Sequence, residues 1–192
     1  PHPPYYVPER YLEMYRDADI PGPCPLPAEA GRHFPASPEN PEPGSLRLRR
    51  MREAYFAACT LIDTHIGRVL DALEESGQAD NTIVILMSDH GEMLGDRGGY
   101  QKHYPYEGSA HIPMVIAGPG FAPGSRCDRP VVTWDVTATI LDAAGVAVPA
   151  GHPLAGSSLR ADAALPADRI IHYHFGRDRK STRLNSSHRI RS

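Results

Sequence analysis

The sequence predicts an α/β fold, because segments with helical periodicity alternate with short apolar runs that are typical of strands. A helical segment over about 45–76 precedes the apolar run TIVILM at 82–87. A second apolar run at 113–117 precedes a second helical segment at about 133–144, which should end at Gly145. Continuous apolar strands are typical of sheets covered on both faces, so we expect a mixed, mostly parallel sheet.

The first helix is predicted by one apolar face and by residues suited to its ends. Ser45 is a good N-cap, and Gly77 is a plausible stop. The apolar residues between them recur every three or four positions, at Tyr55, Cys59, Ile62, Ile66, Val69, Leu70 and Leu73.

Residues 1–44 are rich in proline, with twelve of the twenty prolines of the chain. Proline excludes a long helix here and favours extended chain. Interspersed tyrosines supply apolar anchors, so we expect a long loop docked on the domain; a solvated Pro-rich linker is the alternative.

The end of the chain has a different composition. Residues 149–178 have weaker periodicity, with one strand candidate at 170–175, and are interpreted as the start of a smaller α+β carboxy-terminal region. Residues 179–192 are basic and serine-rich. KSTRLNSSH looks like a translated sequencing adaptor, so this tail is interpreted as non-native; a basic tail that binds nucleic acid is the alternative.

Composition excludes several classes of function. The 192 residues carry a net charge of −3, with a pI of about 6.4, so no global positive field attracts nucleic acid or anionic membrane. No apolar run is long enough to span a membrane. Cys24, Cys59 and Cys127 form no C-x-x-C pair and are expected to be ordinary thiols. A signal peptide could precede Pro1, so cytoplasmic, periplasmic and secreted locations all stay open.

The segment at 85–114, ILMSDHGEMLGDRGGYQKHYPYEGSAHIPM, contains the residues best suited to chemistry. Asp89 and His90 follow the strand at its carboxyl end, where open α/β sheets bind ligands. A carboxylate beside an imidazole can ligate a divalent cation, and Gly91 lets the chain turn away. The alternative is that Asp89 caps the turn and His90 packs beneath it.

Lys102 is the second candidate in this segment. An ammonium returned to the same end of the sheet would suit a tetrahedral oxyanion bound beside a metal. A solvated surface lysine is the alternative. Neighbouring His103 could assist or lie on the surface.

These motifs resemble the second metal-binding segment of the sulfatase family, within the alkaline-phosphatase superfamily. The resemblance rests on S-D-H-G-E-M-L-G-D, the eleven-residue step from Gly91 to Lys102, Y-E-G, and the strand that begins I-P-M. The preceding helix and strand, the later helix and the opening PHPPYYVPERY extend it over about residues 1–175. It implies that residues 1–148 form the second half of a sulfatase-type catalytic domain.

The resemblance also implies roles for individual residues. Asp89 and His90 would be metal ligands, Lys102 would bind the leaving-group or sulfate oxygens, and His2 would contact the sulfate. Many sulfatases have Asn where this chain has His90, whereas His resembles bacterial members that include phosphonate monoester hydrolases. We expect one divalent metal ion, Ca²⁺ before Mn²⁺, although the imidazole favours Mn²⁺ more than an all-oxygen site would.

The nucleophile half of the family pattern is missing from this chain. Sulfatases carry a formylglycine made from cysteine in C-x-P-x-R or a similar segment, and none of the three cysteines fits. The first aspartate pair of the family has no counterpart either. We therefore expect formylglycine upstream of Pro1 and no turnover by residues 1–178 alone.

The implied function of the full-length protein is metal-dependent hydrolysis of sulfate esters, with a small-molecule or carbohydrate sulfate ester as substrate. A phosphonate monoester or phosphodiester hydrolase of the same superfamily is one alternative, and a non-catalytic metal-binding relative is another. Oligomeric state is not predicted.

Other polar residues have plainer interpretations. Asp135, beside Trp134, should satisfy backbone N–H groups at the start of the second helix. His172 and His174 would share one face of a strand, but without a third ligand we assign them no metal.

Overall fold

The computed structural model describes residues 3–27, 38–102, 105–149, 151, 153–160, 165 and 169–171. His2, His103, His172, His174 and the tail 179–192 lie outside the described residues, as does most of the predicted strand at 170–175. The chain divides into two compact units: unit 1 contains residues 1–79 and 90–112, and unit 2 contains residues 80–89 and 113–192.

Unit 1 is built around a long helix. Its helices are α1 (Glu9–Glu13), α2 (Leu46–Glu75) and α3 (Glu107–Ala110). The Ser45 hydroxyl accepts a hydrogen bond from the Leu48 N–H at 3.2 Å, and Gly77 follows the helix with a φ of +70°. Both ends of the predicted helix are therefore confirmed. No helix among the described residues is long and apolar enough to cross a membrane.

The two halves of α2 differ in burial. Leu48, Ala57 and Ala58 are buried in the first half. In the second half, Ile62 and Val69 stay 43% and 68% exposed although they belong to the predicted apolar face. Within unit 1, burial is therefore concentrated on the amino-terminal half of this helix.

The described parts of the Pro-rich segment contact α2 and the chain that follows it. The Tyr15 hydroxyl lies 2.5 Å from the Thr60 hydroxyl oxygen on α2. The Tyr100 hydroxyl donates to the Pro41 carbonyl at 2.6 Å. The short helix α1 lies in this segment and contains only five residues, in agreement with the expectation that no long helix forms here.

Unit 2 contains β1 (Val84–Met87), β2 (Met114–Ala117) and α4 (Thr133–Ala143). All three were predicted near these positions. The two strands pair with each other in antiparallel register, with Val84 opposite Ala117 and Met87 opposite Met114.

The expected mostly parallel sheet is not seen among the described residues. A parallel sheet was expected because the continuous apolar runs suggested strands that are buried on both faces. Leu86 and Val115 lie opposite each other and are 41% and 58% exposed, so one face of this strand pair is open. An antiparallel pair with one exposed face is a common arrangement, and an apolar run alone does not distinguish it from a parallel one.

A buried carboxylate holds unit 2 together. Asp135 is fully buried, and its carboxylate accepts hydrogen bonds from the backbone N–H groups of Val132 and Ser157, each at 2.8 Å. The Arg169 guanidinium binds both carboxylate oxygens, each at 2.7 Å. Asp135 therefore stabilises the start of α4, as predicted, and also fixes two segments that follow the helix.

These contacts set the ionisation of Asp135. Burial alone would raise the pKa of Asp135, but the hydrogen bonds from Arg169, Ser157 and Val132 outweigh it and hold the pKa below its ordinary value. The ionised Asp135 carboxylate therefore makes its full contribution to the free energy of unfolding at pH values above the unfolded-state pKa, which is about 3.9 for Asp. This contribution is lost as the pH falls through the lower folded-state pKa.

We expect Asp135→Asn to lower the free energy of unfolding by about 3 kcal/mol at pH 7, because it leaves the Arg169 charge without its buried partner. The variant should also lose part of the wild-type decline in stability below about pH 4. Denaturant unfolding at pH 7 and at pH 3 measures both effects.

Asp142→Asn is the matched control on the same helix. Its carboxylate accepts from the Ser158 hydroxyl at 2.6 Å, but the side chain is 47% exposed. A cost below about 1 kcal/mol is expected for such a surface contact. Equal effects of the two substitutions would contradict the central place given to Asp135.

Candidate functional site

The candidate site is formed at the two ends of the segment 91–102, called here the 91–102 loop. His90 precedes the loop and Lys102 ends it. The Lys102 ammonium nitrogen, Nζ, lies 2.7 Å from Nε2 of His90, and both residues are partly buried. The structure therefore brings together two residues that the sequence analysis selected separately.

The hydrogen-bond partners of the His90 ring indicate one tautomer. Nδ1 lies 2.8 Å from the Gly91 carbonyl oxygen, which can only accept, so Nδ1 carries the proton. Nε2 faces an ammonium, which can only donate, so Nε2 presents its lone pair. A backbone carbonyl on one ring nitrogen and a lone pair on the other is the arrangement that suits a histidine ligand of a metal.

Asp89 is the residue before His90 and lies two positions after β1. It is exposed and is the last residue of the first segment of unit 2, whereas His90 begins the second segment of unit 1. Within the described part of the chain, no group of three or more His, Cys, Asp or Glu side chains could hold a metal ion. Asp89 and His90 alone would form part of a coordination shell, because divalent ions in proteins usually need at least four ligands.

Backbone hydrogen bonds close the 91–102 loop on itself. The Met93 N–H donates to the Gln101 carbonyl at 3.0 Å, and the Gly95 N–H donates to the Gly99 carbonyl at 2.8 Å. One carboxylate oxygen of Glu92 accepts from the Gln101 N–H at 2.6 Å and from the Leu94 N–H at 3.3 Å. The loop thus returns on itself and places Lys102 beside its own starting point.

Three residues of the loop other than glycine adopt the left-handed backbone region. The φ values are +46° at Leu94, +54° at Arg97 and +63° at Gln101. Side chains with a Cβ rarely adopt this conformation, which persists where the surrounding contacts enforce it, often at functional sites.

Contacts from the rest of unit 1 enforce the left-handed backbone conformation in the loop. The Arg52 guanidinium on α2 donates to the Leu94 carbonyl at 2.8 Å. The Cys24 N–H donates to the Asp96 carboxylate at 2.9 Å, and the Arg97 N–H donates to the Cys24 carbonyl at 2.7 Å. These anchors were not predicted from the sequence, because bonds between side chains and a distant backbone leave no pattern in the sequence.

Glycine is required at position 91 because a residue with a side chain would not fit there. A Cβ at this position would lie 2.2 Å from the Gly108 carbonyl oxygen, and the Gly91 N–H donates to the Ser109 carbonyl at 2.8 Å. Its φ is not in the left-handed region, so the turn expected at Gly91 depends on close approach to α3 and not on unusual backbone freedom.

We expect Gly91→Ala to lower the free energy of unfolding by about 2 kcal/mol or more, because backbone must move to admit the methyl group. Gly67→Ala is the control, since a Cβ at Gly67 within α2 meets nothing within 4 Å. Alanine should stabilise that helix by up to about 1 kcal/mol. Chemical denaturation of both variants checks the pair, and a neutral Gly91→Ala would show that the loop does not pack closely on α3.

Sequence comparison identifies the relatives of this chain. The sulfatase family model matches residues 1–146. A choline-sulfatase of Rhizobium meliloti (strain 1021) is 34% identical over 167 residues, covering 80% of this chain and 31% of the relative. An arylsulfatase of Clostridium perfringens is 36% identical over 158 residues, covering 78% of this chain and 33% of the relative. The chain thus spans about one third of the length of these curated relatives.

Two solved structures resemble this chain in both fold and sequence. A phosphonate monoester hydrolase from Silicibacter pomeroyi superposes with a TM-score of 0.74 at 34% identity, covering 88% of this chain and 37% of the other. A protein solved in complex with its substrate D-glucosamine-2-N,6-O-disulfate superposes with a TM-score of 0.62 at 31% identity, covering 74% of this chain and 29% of the other. The family model covers well over half of the sequence, and the chain therefore belongs to the sulfatase family.

Proposed function

We propose that the polypeptide to which this chain belongs hydrolyses sulfate esters. Asp89 and His90 would be two ligands of a divalent metal ion, and Lys102 would bind the oxygens of the sulfate. The observation that carries the proposal is the 2.7 Å approach of the Lys102 ammonium to the His90 ring in a chain of the sulfatase family.

Lys102 suits the charge that develops during such a reaction. Cleavage of a sulfate ester puts negative charge on the non-bridging and leaving oxygens, and a partly buried ammonium stabilises that charge more strongly than a solvated one. If Nε2 of His90 ligates a cation, it can no longer accept from Lys102, so the ammonium is available to the substrate. His2 is proposed to contact the same sulfate group.

The donor set supports one divalent cation. The Asp89 carboxylate suits Ca²⁺, and the imidazole lone pair of His90 also admits Mn²⁺. A bound divalent ion would supply positive charge to the non-bridging oxygens. Further ligands must come from residues other than this pair.

The nucleophile is proposed to lie outside this chain. Cys24, Cys59 and Cys127 are free thiols without the C-x-P-x-R context of a formylglycine precursor. The backbone of Cys24 is also engaged by Asp96 and Arg97. We therefore expect the 192-residue chain alone to show no turnover.

Hydrolysis of phosphonate monoesters is the second candidate. The superposition on a phosphonate monoester hydrolase and the histidine at position 90 favour it. Sulfate and phosphonate monoesters both present tetrahedral oxyanions to Lys102, so the geometry of this site serves either substrate. For the sulfate ester, the relative solved with a glucosamine disulfate supports a carbohydrate substrate.

We expect Lys102→Met, in the complete polypeptide, to lower kcat/KM for 4-nitrophenyl sulfate about 100-fold or more, because one charge-stabilising group at the reacting oxygens is lost. Metal binding should persist, since the variant removes no proposed ligand. Initial rates, together with calorimetric titration of Ca²⁺ and Mn²⁺, measure the two properties separately.

Arg126→Met is the control for the loss of one positive charge. Its guanidinium is 86% exposed and pairs with Asp128, so its rate should match the wild type. A wild-type preference for a phenylphosphonate monoester over the sulfate would favour the second candidate. Activity unchanged by Lys102→Met would contradict both candidate functions. A complete polypeptide that binds metal without turnover would favour a non-catalytic relative.

A further inference from the structure

We propose that Glu92 is a positioning residue, which holds the backbone before Lys102 so that the ammonium meets His90. This inference rests on the proposed function and deepens it, because it names the group that places the oxyanion-binding lysine. Glu92 itself contacts neither the Lys102 ammonium nor the His90 ring among the described hydrogen bonds and ion pairs.

The carboxylate of Glu92 binds the backbone N–H of Gln101, the residue before Lys102. Its oxygen accepts from the Gln101 N–H at 2.6 Å, the shorter of its two backbone contacts. The Gln101 carbonyl is held at the same time by the Met93 N–H at 3.0 Å. Both polar backbone groups of the residue before Lys102 are therefore bound to the start of the loop.

The conformation of Gln101 explains why such a restraint is needed. With a φ of +63°, Gln101 lies in a backbone region that is unfavourable for a residue with a Cβ. Without the Glu92 carboxylate, this residue would relax towards negative φ. Rotation at that position changes the direction of the chain at Lys102 and moves the ammonium away from His90.

Two aromatic residues, Tyr5 and Tyr55, lie near Glu92. The Tyr5 ring packs edge-on against Tyr55 of α2, with ring centroids 5.6 Å apart. The buried Tyr5 hydroxyl lies near Glu92, but no acceptor among the described residues meets hydrogen-bond geometry with it. Burial, followed by the charge of Glu92, raises the pKa of Tyr5, so a neutral phenol faces the carboxylate at every pH of interest.

The test uses the 192-residue chain with Glu92→Ala and Glu92→Gln, and with Glu75→Ala as an exposed control at the end of α2. Amide hydrogen exchange at Gln101 is compared with exchange in the first half of α2. We expect Glu92→Ala to speed exchange at Gln101 at least tenfold while α2 keeps its protection. Glu92→Gln should fall between Glu92→Ala and the wild type, because its amide oxygen can still accept.

Binding of inorganic sulfate in the presence of Ca²⁺ gives a second measurement, whose direction separates positioning from charge. Removal of a negative charge would by itself strengthen binding of an anion. We expect Glu92→Ala to weaken sulfate binding about tenfold, which displacement of Lys102 explains and a charge effect does not. Unchanged or tighter binding would overturn the inference.

A rescue variant distinguishes positioning from a general loss of structure. Glycine adopts positive φ without steric penalty. We therefore expect the double variant Glu92→Ala/Gln101→Gly to bind sulfate at least three times more tightly than Glu92→Ala alone. If sulfate affinity is not recovered in the double variant, Glu92 does not act through the backbone at Gln101, and the inference is overturned.

Failure of the proposed function gives a different pattern of results. A wild-type chain that binds neither Ca²⁺ nor sulfate would count against the proposed site. The positioning of Lys102 would then still be decided by exchange at Gln101 and by the nuclear Overhauser effect between Lys102 and His90, which Glu92→Ala should abolish. Persistence of that effect in Glu92→Ala would overturn the inference on its own.

Discussion

The placement of the Lys102 ammonium beside the His90 ring is the constraint on which the proposed site depends. The two residues are twelve positions apart, and the loop between them contains three left-handed residues other than glycine. Such a path is unfavourable in isolation, so the surrounding unit must enforce it. Arg52 of α2, Cys24 of the Pro-rich segment and Glu92 of the loop itself each bind loop backbone or the Asp96 side chain.

This arrangement connects the less regular parts of the sequence to the chemistry. The Pro-rich segment supplies backbone contacts to the 91–102 loop through Cys24, and Tyr5 faces Glu92 from the same segment. The long helix α2 supplies Arg52 and Tyr55 from its amino-terminal half, where the buried residues of the helix are concentrated. In unit 1, the segments that surround the loop therefore act as its support.

The sequence was sufficient to predict the features governed by local rules. Ser45 and Gly77 define the ends of α2, and β1, β2 and α4 lie where apolar patterning places them. The direction of strand pairing was not predictable, because an apolar run does not reveal whether a face such as that of Leu86 is covered. Lys102 was expected at the same end of the sheet as His90, but their direct contact was not predicted. The role of Glu92 depends on a backbone angle at Gln101 that no residue type signals.

The placement of Lys102 is tested by a long-range ¹H–¹⁵N correlation spectrum of the His90 ring in the 192-residue chain, with Lys102→Met as the comparison. We expect a ring with the proton on Nδ1 and a lone pair on Nε2. Loss of the ammonium should change the ¹⁵N shift of Nε2 and leave that of Nδ1 nearly unchanged. A ring with the proton on Nε2, or an Nε2 shift that does not respond to Lys102→Met, would contradict the placement of Lys102 beside His90.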